Sequence, residues 1–221
     1  LAGRLVGRDG PSEVTVGLTP VGPQVRKLNA RSADVGALLR FIGVYDRVRG
    51  GTGALDAAIR PSGEMDGALT IEDFGIDDEP TLEEIIARSA DRIAEIGGDD
   101  PRPLAFQRGG DRAERPGTRF ERLSIEFVRR GSAVRLTDAV LSGPVVGGTA
   151  EGLVDFAAGT IDIDGTFIPA YAFNNLFGRV PMLGGILGGG SRGGLIGVTF
   201  QLAGRMEEPS LVVNPVSAVA P

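Results

Sequence analysis

The residues best placed to do chemistry in this chain are acidic. Asp162 and Asp164 stand two positions apart, a spacing that puts both carboxylates on one face of an extended strand. Paired carboxylates can act as acid and base or hold a metal. Their plainer role is to solvate the outer face of a strand, the usual fate of surface charge. Glu72-Asp73 and Asp77-Asp78-Glu79 supply carboxylates that suit Ca²⁺ but lack the spacing of a calcium loop. Such a run reads as a solvated turn leading into a helix. Asp73-Phe74-Gly75 matches a kinase triplet, yet no Gly-rich strand loop or catalytic loop precedes it. Gly188 to Gly193 contains a formal G-x-G-x-x-G, but Leu195 to Leu202 alternates like a strand. The dinucleotide mechanism therefore lacks the helix N-terminus it needs.

Composition narrows the chemistry further. There is no Cys and no His in 221 residues. Disulfides, thiolate chemistry and an imidazole base or metal ligand are thereby excluded. A zinc site would have to be built from carboxylates alone. The expectation is a non-enzymatic chain with no cofactor and no metal. The formal net charge of −6 makes the chain a poor binder of phosphate backbones, so no nucleic acid is expected. No apolar run reaches the roughly 18 residues that a membrane-spanning helix requires. The chain begins Leu1-Ala2-Gly3-Arg4 without Met and is read as a piece of a longer one, so a signal or anchor would lie upstream.

The elements that would position these groups are mostly strands. Val14, Val16 and Leu18 alternate with polar neighbours, as do Leu55, Ala57 and Ile59, then Leu69 and Ile71. Leu123, Ile125 and Phe127 repeat the pattern, followed by Ile161, Ile163 and Phe167, then Ile196, Val198, Phe200 and Leu202. A period of two marks half-buried strands with one apolar and one solvated face. Short connections at Arg130-Gly131-Ser132 and Ala157-Ala158-Gly159 suit hairpins. Together they predict an antiparallel meander and not a parallel α/β sheet, whose strands would be apolar on both faces. Three helices interrupt it. The first is capped by Ser32, carries Val35, Leu38, Leu39 and Ile42 on one face, and ends near Gly50-Gly51. The second starts at Pro80-Thr81, with Glu83 and Glu84 in its first turn and Leu82, Ile85, Ile86, Ile93 and Ile96 as its stripe. The third runs roughly from Tyr171 to Arg179. The organisation expected is a β-rich segment 1–98 with two helices, an exposed loop or linker at 99–117, and a β domain at 118–221. The apolar, Gly-rich segment Pro181 to Gly194 is either a mobile loop or a compliant tip. As a tip it would touch lipid or a partner, or seal the end of a sheet, through Met182, Leu183, Ile186 and Leu187.

The last hundred residues resemble a known family. The pieces that carry the likeness are F-E-R-L-S-I-E-F from Phe120, L-T-D-A-V-L-S-G-P from Leu136 and G-G-T-A-E-G-L-V-D-F from Gly147. They continue as A-G-T-I-D-I-D-G-T-F-I-P-A-Y from Ala158, N-N-L-F-G-R-V-P-M-L-G from Asn174 and G-L-I-G-V-T-F-Q-L-A-G from Gly194. The tail P-S-L-V-V-N-P-V-S-A-V-A-P from Pro209 completes them. Their order and spacing over about 118–221 are similar to the C-terminal region of the AsmA-like proteins of Gram-negative envelopes. The stretch from Ala37 to Gly51 resembles helices that precede that region. The resemblance implies a periplasmic protein, anchored in the inner membrane by an upstream segment. It also implies a sheet curved into a β-taco-like groove that shields phospholipid acyl chains crossing to the outer membrane, in support of outer-membrane assembly.

The fold class expected is therefore α+β, mostly β: an antiparallel meander curved into a groove, with a few short helices on its apolar face. The expected lipid-binding lining is Leu123, Ile125, Phe127, Val134, Leu136, Ile161, Ile163, Phe167, Ile196, Val198, Phe200 and Leu202. A second reading uses the same stripes as the closed core of a structural cap that contacts other envelope proteins. An open apolar face of several hundred Å² must be covered or must hold something, and the gap between sheet and helices separates the two readings.

Overall fold

The structure is a computed structural model, described here for residues 2–7, 10–22, 24–43, 45–95, 118–144, 146–169 and 198–213. Eleven strands form one antiparallel sheet in strict sequence order. They are β1 (Ala2–Gly7), β2 (Gly10–Pro20), β3 (Arg26–Ser32), β4 (Val48–Ile59), β5 (Met65–Ile76) and β6 (Thr118–Arg130). β7 (Ala133–Ser142), β8 (Val146–Asp155), β9 (Thr160–Pro169), β10 (Val198–Arg205) and β11 (Glu208–Val213) complete it. Two helices are described, α1 (Val35–Phe41) and α2 (Pro80–Glu95). The chain is thus mostly β, a curved meander with short helices. β1 pairs only with β2 and β11 only with β10, so the sheet is open and not a barrel.

The meander has two unlike rims. On one rim the strands are joined by short hairpins, such as Gly131-Ser132 between β6 and β7. On the other rim sit α1, α2 and the longer connections. β5 and β6 pair from Met65↔Arg129 to Ile76↔Thr118, so the segments on either side of 99–117 share one sheet. Residues 99–117 themselves, the helix expected over 171–179 and the segment 181–194 lie outside the described residues.

Local sequence explains the curvature. In β4 the inward side chains are Gly53, Leu55, Ala57 and Ile59, but beyond Gly50-Gly51 the inward position becomes Val48. β5 changes phase at the same level, from Ile71 to Phe74, across Asp73. β6 does so between Leu123 and Phe120. Gly50, Gly51 and Asp73 all take positive φ (65°, 86° and 53°), a conformation open to Gly and tolerated by Asp. Aligned irregularities of this kind bend strands together and keep one face apolar on both sides of the bend. Asp73-Phe74-Gly75 thus serves as a bend: Asp73 turns the strand, and Phe74 stacks on Phe120 with ring centroids 5.3 Å apart.

The inward face of a curved sheet is crowded, and glycine relieves the crowding. The Phe200 ring occupies the space a side chain at Gly165 would need. Val35 of α1 does the same at Gly53, and a Cβ at Gly51 would lie 2.8 Å from that of Phe74.

The first helix differs from expectation at both ends. Asp34, not Ser32, is the N-cap: its carboxylate accepts from Ala37 N at 2.8 Å. Ser32 is two residues back, buried, with its hydroxyl donating to the Asp34 carbonyl at 2.9 Å. The helix closes at Phe41, and Val48 to Gly51 belong to β4 because their backbone is needed by β5. At α2, Glu79 supports the start: its carboxylate accepts from Thr81 N at 3.3 Å and also from the Tyr45 hydroxyl.

Candidate functional site

The strand registers line up the inward residues in rows that cross the sheet. One row runs Val16, Ala30, Leu55, Leu69, Ile125, Ala139, Ala150, Gly165, Phe200, Val213. The next, toward the hairpins, runs Leu18, Leu28, Ala57, Gly67, Phe127, Leu136, Gly152, Ile163, Leu202, Leu211. Toward the helices lies Val14, Ser32, Gly53, Ile71, Leu123, Leu141, Gly148, Phe167, Val198. No charged residue interrupts these three rows. A bulge in β7 between Leu136 and Ala139 holds the alternation in phase.

The outward face is the opposite in character. Thr15, Arg31, Thr70, Ser124, Thr149, Thr166 and Thr199 share one outward row. Asp162 and Asp164 point outward from β9 and are exposed. Of the acidic run, Glu72 meets Arg122, Asp77 meets Arg49 at 2.8 Å, and Glu79 lies 3.7 Å from Arg47. Among the described residues no carboxylate cluster has the geometry of a metal site. An open depression of about 510 Å³ also lies on this face, lined by Glu13, Thr15, Arg31, Thr52, Thr70 and Glu72 among others. Its polar, mixed-charge lining sets it apart from the apolar rows.

The expected lining is brought together on the inward face. Leu123, Ile125, Phe127, Leu136, Ile163, Phe167, Val198, Phe200 and Leu202 lie on these three rows, and Val134 and Ile161 on the same face one step nearer the hairpins. Ile196, and the contact residues Met182, Leu183, Ile186 and Leu187, lie outside the described residues. The alternation marked in β2, β4 and β5 forms a matching stripe through Val16, Leu55 and Leu69, and Leu28 of β3, which no alternation had marked, joins it.

Cover over this face is uneven. Near the helix rim, Val198 and Phe120 are fully buried, with Val48, Phe74, Val146, Phe167 and α2 residues Ile85 and Ile86 packed around them. α1 packs against β4, β1 and β2, while α2 leaves β5 and reaches β9, β10 and β11. Arg88 of α2 donates to the Leu211 carbonyl at 3.4 Å. Toward the hairpin rim, Leu28, Leu136, Ile161 and Leu202 are only half-buried, although Ala57, Phe127 and Ile163 beside them are buried. Val16 and Leu18, on β2, are 38% and 49% exposed. The face is closed at the helix rim and only partly covered toward the hairpins. No helix among the described residues is long and apolar enough to cross a membrane. Comparison with known proteins finds no matching family model, no matching curated protein and no matching solved structure.

Proposed function

We propose that this chain is a non-catalytic module of the cell envelope that binds phospholipid acyl chains on the inward face of its sheet. One observation carries the reading: the rows Val16 to Val213 and Leu18 to Leu211 cross ten strands, β2 to β11, without a polar side chain, and Leu28, Leu136 and Leu202 in them stay half-exposed toward the hairpin rim. Each methylene buried there contributes about 0.8 kcal/mol, so a long chain repays the water it displaces. The likeness of 118–221 to AsmA-like proteins supports a periplasmic setting and movement of lipid between inner and outer membranes. Native mass spectrometry of the purified protein should detect co-purified phospholipid. Protein free of lipid, and refusing it from vesicles, would sink the proposal.

The alternative, a closed structural cap, draws on the packed helix rim. Two substitutions separate the readings. Val198→Asp places a charge in a fully buried site and should unfold the protein under either. Leu202→Asp lies in the half-exposed part. It should leave circular dichroism unchanged while abolishing lipid binding. Unfolding by both variants would favour the cap.

A further inference from the structure

One more inward row lies closest to the hairpins: Pro20, Arg26, Ile59, Met65, Arg129, Val134, Val154, Ile161, Gly204, Pro209. It holds the only charged residues of the inward rows, and both are cations. Arg26 and Arg129 are exposed, and neither makes an ion pair among the described residues. Arginines with nearby carboxylates lie elsewhere: Arg31 meets Asp56 at 2.9 Å, Arg130 meets Glu64 at 3.2 Å, and Arg205 meets Glu207 at 3.2 Å. In a chain of net charge −6, the inward rim is therefore locally basic without compensation.

An apolar floor edged by unpaired guanidinium groups complements a molecule with a hydrocarbon tail and an anionic head. Guanidinium binds phosphate through two parallel hydrogen bonds, which an ammonium cannot reproduce. Arg26 and Arg129 are three strand steps apart, about 14 Å at the usual strand spacing, too far to share one head group. The same rim exposes Val21, Phe156 and Met206 in the turns β2–β3, β8–β9 and β10–β11. Exposed apolar turn residues beside separated cations fit the surface of a bilayer better than a single free fatty acid.

We propose that the hairpin rim is the membrane-facing side of the sheet. There Arg26 and Arg129 each receive the phosphate of an anionic bilayer phospholipid, whose chains then lie along the inward rows. This rests on the acyl-chain reading above. The test incubates the protein with vesicles of equal phosphatidylglycerol and phosphatidylcholine, re-isolates it, and measures bound lipid by native mass spectrometry. The wild type should enrich phosphatidylglycerol. Arg26→Gln and Arg129→Gln should each lower that preference about fivefold, the scale of one cation near a charged surface, with total lipid unchanged. The wild-type preference should also collapse at 0.5 M salt, where screening is short-ranged, and persist against millimolar inorganic phosphate. Lipid bound without head-group preference, a preference that survives the double variant or salt, or its loss to inorganic phosphate would each overturn the head-group assignment alone. Absence of any bound lipid would overturn the acyl-chain reading and this inference with it.

Discussion

At the scale of single residues, two carboxylates hold local structure, Asp73 in a strand bend and Asp155 in a turn. Asp73 sits in the left-handed region at φ 53°, where a non-glycine residue costs roughly 1 kcal/mol. Asp73→Gly should therefore raise stability by roughly 0.5–1 kcal/mol, and Asp73→Val, β-branched, should lower it by roughly 1–2 kcal/mol, as read by urea unfolding. Asp155 is another such residue. Its carboxylate accepts from Ala158 N at 3.1 Å, the Ser132 hydroxyl at 2.9 Å and Ala157 N at 3.0 Å. The Ala158 amide, then Ser132, hold it below the ordinary carboxylate value of 3.8. A depressed folded value means that its contribution is complete above the ordinary value and is lost as pH falls through the folded one. Asp155→Asn should therefore lower stability at neutral pH and converge with the wild type below about pH 4, flattening the acid limb of the stability–pH curve read by urea unfolding. The sequence showed these carboxylates but not their roles, because a left-handed backbone and a three-donor turn appear only once strands are paired. The Ser32 expectation failed for a similar reason. Both Ser32 and Asp34 suit an N-cap, and β3 keeps Ser32 in its ladder by pairing it with Gly53, leaving Asp34 to cap.

At the scale of elements, alternation identified strands because one-sided burial writes a period of two into sequence. It did not show how glycine and bulky residues interlock across strands. Gly165 and Phe200 are 35 positions apart and oppose each other in the ladder between β9 and β10. Neither composition nor periodicity links them. The ring of Phe200 lies over Gly165, so Gly165→Ala must push it away. Overpacking of this kind should cost about 1–3 kcal/mol. Thermal unfolding checks it, and Gly165→Ala with Phe200→Leu should recover part of the loss. Full loss in both variants would mean that backbone strain, and not the ring, sets the cost. The two rim arginines were hidden by the same limit. Arg26 and Arg129 stand in charged stretches of sequence, and only the register places them beside Ile59 and Met65 on the apolar side.

At the scale of the whole molecule, the sheet is a one-dimensional array in which each strand touches only its neighbours, and such arrays fray from their ends. α2 breaks that rule. It emerges from β5 near the middle and packs on β9, β10 and β11 at one edge. It thereby couples strands that the ladder alone would leave to open in turn. Its anchors are Ile85 and Ile86, 9% and 3% exposed, in one cluster with Phe167 and Val198. Helical periodicity announced these isoleucines as an apolar stripe, but no sequence signal named the distant strands they would cover. Ile86→Ala should cost about 2–4 kcal/mol, the range for truncating a buried isoleucine. The loss should be unevenly spread. Amide exchange should accelerate first in β10 and β11, while the β4–β5–β6 centre, held by its own long ladders, keeps its protection. Uniform acceleration across all strands would instead show that the sheet opens as one unit and that α2 contributes burial without acting as a clamp.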